Sequence, residues 1–222
     1  VFHFENGVIY EGRVSLYGDK TKDIIQWVEN LETDFAFNEV AKSDYYENSY
    51  NVPIEKYYAT DNSEEFYFTV PVGAMGIVDL IETWFPKGAL LLSSDQGTFT
   101  FEQLCDNKTF DISKHGSMSV PVNYHALDMY IKSKGMFSYI HPLADKTFST
   151  MLAYIAPDAH PQTTDYFMQH MDFSVVDYLA IFEHLKDTVV SNDDIYRVLK
   201  LSKWDASTFN YLYPRLFDQV KK

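Results

Sequence analysis

The sequence predicts an α/β protein with a mixed sheet and a C-terminal helical appendage, and three observations carry that expectation. A helical apolar pattern from Val72 to about Phe85 is followed by the wholly apolar run Ala89 to Leu92, the succession of helix and buried strand found in parallel α/β sheets. Met136 to Ile140 and Phe148 to Ile155 read as two more strands joined by a short link, the form of an antiparallel edge. From Ala156 onward apolar residues recur at helical spacing behind capping signals. The expected division is an α/β region over 1–155 and a helical appendage over 156–222.

Taken in order, the chain opens with Val1 to Phe4 and Val8 to Leu16 around Glu5-Asn6-Gly7. Asn-Gly signals a hairpin because both central residues of a type I′ turn take positive φ. Lys22 to about Tyr46 places Ile24, Ile25, Val28, Leu31, Phe35 and Val40 near one helical stripe and predicts a helix, its acidic residues forming a solvated face. Asn48 to Glu65, polar, rich in Tyr and Asn and holding Pro53, predicts a loop. Phe66 to Pro71 is extended, Val72 to Phe85 a helix stopped by Pro86-Lys87-Gly88, and Ala89 to Asp95 a strand buried on both faces. Thr100-Phe101-Glu102-Gln103 has the form of a capping box, His115 to Pro121 reads as a loop, and Val122 to Lys134 as a helix stopped by Gly135. Pro157 to Asp172 reads as a polar link, after which Ser174 with Asp177, Ser191 with Asp194, and Asp205 cap three helices.

Composition narrows the partners. The 222 residues carry 32 acidic and 18 basic side chains, a net charge of −14, which argues against a chain that grips a phosphate backbone. Twenty acidic and seven basic residues lie in 1–111, so the surplus belongs to that half. No apolar run approaches the roughly 20 residues that span a bilayer, and the single Cys105 excludes an internal disulfide and any multi-cysteine metal site. A protein partner, no nucleic acid, no membrane, no metal and a reducing, cytoplasmic setting are the expectations. The chain begins at Val1 without an initiator methionine, which suggests a piece of something longer.

The chemistry concentrates in two places. Ser94-Asp95-Gln96-Gly97 stands where open α/β sheets bind ligands, beyond the carboxyl end of a strand; Asp95 can accept hydrogen bonds there and Gly97 admits close backbone approach. A plain strand-ending turn accounts for the same residues. His115-Gly116-Ser117-Met118-Ser119 followed by Val122-Asn123-Tyr124-His125 gathers polar groups at a helix start. His115 and His125 suit acid–base work near neutral pH, although each alone is also an ordinary structural histidine, and Ser117 and Ser119 also suit capping. Cys105 sits among acidic neighbours that raise a thiol pKa, and no nucleophile elbow, Walker A loop or Gly-x-Gly-x-x-Gly turn is present.

The order of Phe68-Thr69-Val70-Pro71-Val72-Gly73-Ala74, Gly88 to Gly97, His115 to Ala126, and Leu199 to Asp205 resembles the C-terminal half of S-adenosylmethionine-dependent methyltransferases of the MidA-like group and its tetratricopeptide-containing relatives. The resemblance spans residues 66 to 155 and, more loosely, 174 to 213. It implies a partial class I methyltransferase-like mixed sheet in which 89–95 is the fifth strand and the strands at 136–140 and 148–155 are the final antiparallel pair. Residues 1–65 would be an acidic insertion, and the strands that bind S-adenosylmethionine would precede Val1. Asp95, His115 and His125 would then be catalytic and Gly97, Ser117 and Asn123 would contact substrate, although Asp-Gln-Gly stands where the group often has Asp-Tyr-Gly.

The implied activity is methyl transfer to a protein side chain, with an acidic, aromatic insertion suited to a basic acceptor. The alternative is a non-catalytic interaction module that docks through its C-terminal helices, with Phe167, Phe173, Tyr178, Trp204, Tyr211 and Tyr213 exposed.

Overall fold

The structure, a computed structural model, describes residues 1–222 apart from 19–22, 41–44, 47, 61–64, 111, 115–116, 141–147, 171–190, 203, 205–207, 211 and 213–222. The chain divides into two compact units, Val1–Asp172 and Phe173–Lys222.

An antiparallel sheet opens the first unit. Strands β1 (Phe2–Glu5), β2 (Val8–Tyr17), β3 (Glu32–Glu39) and β4 (Phe66–Phe68) lie in the order β3-β2-β1-β4. Asn6 and Gly7, at φ 49° and 77°, make the expected type I′ turn between β1 and β2. The helix expected over Lys22 to Tyr46 is corrected: α1 spans only Ile24–Glu29, and β3 follows. In Glu32–Glu39 the residues Thr33, Phe35 and Phe37 alternate with Glu32, Asp34, Ala36 and Asn38, and pairing with β2 sets Phe35 opposite Val14 and Phe37 opposite Gly12. Cross-strand neighbours of this kind contribute about 0.2–1 kcal/mol per pair, which favours the period of two over a partial helical stripe.

The loop expected over Asn48 to Glu65 is also corrected. A 3-10 turn at Asn48–Asn51 leads into α2 (Val52–Tyr58), with Pro53 in the first turn, where its missing N–H loses no intrahelical bond. Helix α2 delivers Ile54 and Tyr57 to a core formed with Phe2, Phe4, Ile9, Phe66, Phe68 and Leu104.

The second sheet has the order β8-β5-β10-β9, built from β5 (Ala89–Thr98), β8 (Val122–Asn123), β9 (Phe137–Ile140) and β10 (Phe148–Ile155). Strand β10 runs antiparallel to both β5 and β9, while β5 meets β8 in parallel over two residue pairs. The protein is therefore mixed α/β, with β5 paired along most of its length to an antiparallel neighbour. Helices α3 (Val72–Trp84) and α5 (Tyr124–Ser133) cover one face, packing Met75, Val78, Tyr130 and Ile131 with Met151, Ala153 and Ile155. On the other face α6 (Pro161–His170), formed where a polar link was expected, lays Phe167 on Leu152 and Tyr154. Leu90 and Leu92 stay 51% and 58% exposed on that face, so β5 is buried on one side and not on both.

Helix α4 (Phe101–Cys105) carries the expected capping box at Thr100 and Gln103, and β6 (Ser113–Lys114) and β7 (Met118–Ser119) form a two-stranded ribbon. Because α6 packs on β10, the first unit extends to Asp172 and includes part of the region read as an appendage. In the second unit α7 (Asn192–Leu201) starts at the Ser191–Asp194 capping box and buries Ile195, Val198 and Leu199. The caps expected at Ser174, Asp177 and Asp205 lie outside the described residues.

The crossing of β5 and β8 depends on Gly97. A Cβ there would fall well inside van der Waals distance of the Val122 carbonyl oxygen and 2.9 Å from Cδ2 of Tyr124. Gly97→Ala is expected to lower the unfolding free energy by about 1–3 kcal/mol, as overpacking against backbone does. Urea denaturation of the two proteins measures it, and equal midpoints would show that β8 yields without strain.

Candidate functional site

At the carboxyl end of β5 a cleft of about 270 Å³ is lined by Gln96, Gly97, Thr98, Gln103, Asp106, Asn107 and Pro121. Its walls follow from local chemistry. The capping box aims Gln103, whose Oε1 accepts the backbone N–H groups of Phe99 at 2.8 Å and Thr100 at 3.2 Å. Helix α4 ends at Asp106, and Asn107 is fastened to β4 by its carbonyl oxygen, which accepts the N–H of Tyr67 at 2.8 Å. A recess of about 90 Å³ shares Thr98, Asn107 and Pro121 with the cleft and extends to Tyr67, Phe68, Thr69 and Phe110. Carboxamides, one carboxylate and one hydroxyl line the cleft, a set that hydrogen-bonds a polar ligand.

The residues singled out from sequence separate in the structure. Gly97 lines the cleft. Asp95 lies two residues earlier on β5, exposed, its Oδ1 accepting the N–H of Gln96 at 2.7 Å. Ser117 is exposed beside the β6–β7 ribbon, and His115 lies outside the described residues. Asn123 is 1% exposed and does not line the cleft. Its Oδ1 accepts the N–H of Ala126 at 3.0 Å and so caps α5, while its Nδ2 donates to the Thr69 carbonyl at 2.8 Å and the Tyr57 hydroxyl at 3.3 Å.

His125 is held by the same phenol. Its Nδ1 is 3.0 Å from Tyr57 Oη, and the two rings lie near parallel, 5.8 Å apart. Asn123 donates to the same oxygen, so the Tyr57 hydroxyl bridges the carboxamide of Asn123 and the imidazole of His125. Burial pushes His125 down from its ordinary 6.5, against the carboxylates of Asp128 and Glu102, which favour the charge. Burial also pushes the Tyr57 phenol up. Tyr57, Asn123 and His125 thus form one hydrogen-bonded joint between α2 and the start of α5.

A second polar cluster ties α3 to α5. Tyr50 donates to Asp79 at 2.7 Å, Tyr130 donates to the same carboxylate, and the Lys134 ammonium lies 2.6 Å from Asp79 and 2.5 Å from Glu82. Burial works against the Asp79 charge, but the hydrogen bonds from Lys134, Tyr130 and Tyr50 outweigh it and hold the carboxyl below its ordinary value. Burial likewise pushes Tyr130 up, to about 12, aided by its bond to Asp79. Among the described residues no three His, Cys, Asp or Glu side chains gather to hold a metal ion, and no helix is long and apolar enough to cross a membrane.

Sequence reasoning missed Asp106, Asn107 and Pro121 as cleft residues, because the first two reach β5 only through the packing of α4 beside β4 and Pro121 only through the pairing of β8 with β5. Gln103 was visible as a capping residue, and its place in the cleft wall follows from that cap. No protein-family model matches this chain, nor does any curated protein or solved structure.

Two measurements probe the joint. Asn123→Ala removes a helix cap and leaves the Thr69 carbonyl and the Tyr57 hydroxyl without their donor, so a loss of about 2–4 kcal/mol in urea unfolding is expected; a loss below about 0.5 kcal/mol would contradict the bonding described. Because the folded state resists protonating His125, the unfolded chain binds that proton first, and stability falls as the pH drops from above 6.5 toward the lower folded-state value. In His125→Gln this part of the decline is absent, and chemical denaturation at about pH 7.5 and 5.5 reads the difference. Identical declines in both proteins would exclude His125 as the source.

Proposed function

We propose that this chain is the acceptor-side part of an S-adenosylmethionine-dependent methyltransferase that modifies a protein side chain, with the cleft at the end of β5 holding the acceptor. The observation that carries this is the sheet edge β5-β10-β9, in which β10 is antiparallel to both neighbours, with a polar cleft at the carboxyl end of β5. It supports the resemblance, which makes 89–95 a fifth strand and the strands at 136–140 and 148–155 the closing antiparallel pair. Ligands of open α/β sheets collect at that end of the strands.

The described residues do not make a cradle for S-adenosylmethionine. Gly73 and Gly76 fall inside α3 and not in a turn after a strand, and a Cβ at Gly73 would meet nothing within 4 Å. The cofactor, which supplies an electrophilic methyl group when bound, would therefore be held by residues other than these. What this chain contributes is acceptor binding: Asp106 accepts an acceptor N–H, Asn107 and Gln96 supply paired carboxamide bonds, and Thr98 closes the floor. Asp95, beside the cleft on β5, and His115 are the groups proposed to orient or deprotonate the acceptor, while His125 acts as a positioning residue through Tyr57 and Asn123.

The non-catalytic reading has its own support, since Asn123 and His125 are committed to internal bonds. Tyr196 and Trp204, 56% and 57% exposed and 5.6 Å apart edge to face, offer a docking surface on the second unit. Trp204 takes φ 65° just past α7, its N–H bonded to the Leu199 carbonyl at 2.8 Å. Of the other aromatics expected at that surface, Phe167 is 5% exposed against β10, which removes it, and Phe173, Tyr178, Tyr211 and Tyr213 lie outside the described residues.

Equilibrium dialysis of the full-length protein with labelled S-adenosylmethionine, followed by label transfer to protein acceptors, tests the proposal. Asp106→Asn with Asn107→Ala should lower transfer at least about tenfold with cofactor binding unchanged. Absence of cofactor binding would leave the interaction module as the surviving reading.

A further inference from the structure

The first sheet has an outward face built from aromatic rings. Side chains alternate across a strand, so Phe2, Phe4, Ile9, Phe66 and Phe68 enter the core while their neighbours point away from it. The register places Tyr67, His3 and Tyr10 in one row across β4, β1 and β2, and sets Phe37 over Gly12. Only a residue without a side chain leaves room for that ring, because Phe37 Cε1 would lie 2.5 Å from an added Cβ at Gly12. His3 and Tyr67 stack at 4.3 Å with 8° between their planes, and Phe37 meets them edge on at 5.7 and 6.0 Å. Phe37 is 37% exposed, and Val14 and Leu16, at 44% and 41%, continue the face.

Carboxylates stand at the Tyr67 end of this face. Glu65 Oε1 is 2.8 Å from His3 Nε2, and the Glu65 side chain is still half exposed. Glu5 is exposed and, like Glu65, lies close enough to Tyr67 that their charges add to burial in pushing its phenol up. Lys108 is a cation at this rim, and its ammonium donates to the Glu65 backbone carbonyl at 3.0 Å, not to its carboxylate.

We propose that this face docks a basic polypeptide segment, with an arginine or lysine side chain against the Tyr67 ring, which His3 backs from beneath, and its charge against Glu65 and Glu5. Aromatic faces attract cations, and the carboxylates at the edge fix which end of the stack the cation takes. The partner's sign follows from the sequence as well, since residues 1–65 carry fourteen acidic and five basic side chains. A polyanion would be repelled, and a wholly apolar partner would desolvate two carboxylates, Glu5 and Glu65, with one cation, Lys108, at the rim. Tyr67 also lines the recess that shares Thr98 and Asn107 with the β5-end cleft. The docking stands whether or not the cleft supports methyl transfer.

Fluorescence anisotropy with a labelled ten-residue peptide of alternating arginine and serine tests it, against a peptide with glutamate at the arginine positions. The arginine peptide should bind saturably, weaken as salt is raised, and lose about tenfold or more in affinity in a Glu5→Gln, Glu65→Gln double variant whose circular dichroism is unchanged. Tyr67→Ala should weaken it as well, and the glutamate peptide should not bind. The proposal is overturned by an absence of saturable binding, by equal binding of the two peptides, or by undiminished binding to the double variant. It is also overturned if sedimentation shows self-association that the double variant abolishes, since a second copy would then occupy the face.

Discussion

The side chain of Asn123 fastens the two layers of the first unit to one another. It sits at the junction of β8 and α5, caps that helix with its oxygen, and reaches with its nitrogen to Thr69, just past β4, and to Tyr57 on α2. The elements it joins belong to separate cores: Tyr57, Phe66 and Phe68 to one, Tyr124, Ala126 and Tyr130 to the other. A buried carboxamide left unpaired is costly, so its bonds define how the helix start and the sheet edge meet. His125 extends the same joint through its Nδ1, 3.0 Å from the Tyr57 hydroxyl. The cleft at the end of β5 inherits its shape from this arrangement, because Thr98 pairs with Asn123 and Gly97 with Val122.

Local patterns were legible in the sequence where local chemistry decides the structure. The Asn6-Gly7 turn, the Thr100 and Ser191 capping boxes, the helix after Pro71 and the strands β9 and β10 all form where their signals predict. Three segments were misread because tertiary partners outweighed the local pattern. Glu32–Glu39 alternates with period two but carries enough apolar residues for a helical stripe, and β2 decides in favour of the strand. Val52–Tyr58 looked polar because its tyrosines count as loop residues until Tyr57 is seen to be buried. Pro161–His170 shows one inward side chain of consequence, Phe167, too little periodicity to mark a helix.

The site was legible only in part. Gly97 stood out because a glycine at a strand end has a steric meaning, and the structure gives that meaning to the approach of Val122 and Tyr124. Asn123 and His125 stood out as polar groups at a helix start, and their chemistry is spent on the joint described above. Asp106 and Asn107 carried no signal, since nothing in a five-residue helix followed by two polar residues tells that β4 will draw them to the cleft. Two of the acidic residues of the first half, Glu5 and Glu65, lie beside Tyr67 on the outer sheet face, among rings that the sequence shows only as a high aromatic count.

A double-mutant cycle between Asn123 and Tyr57 tests the central constraint most directly. Unfolding free energies of Asn123→Ala, Tyr57→Phe and the double variant yield the coupling between a residue of the α5 cap and one of α2. The fastening described here predicts a coupling of at least about 1 kcal/mol, with the double variant less destabilised than the sum of the single ones. Additivity to within about 0.3 kcal/mol would mean that the bond between Asn123 and Tyr57 does not fasten the start of α5 to α2.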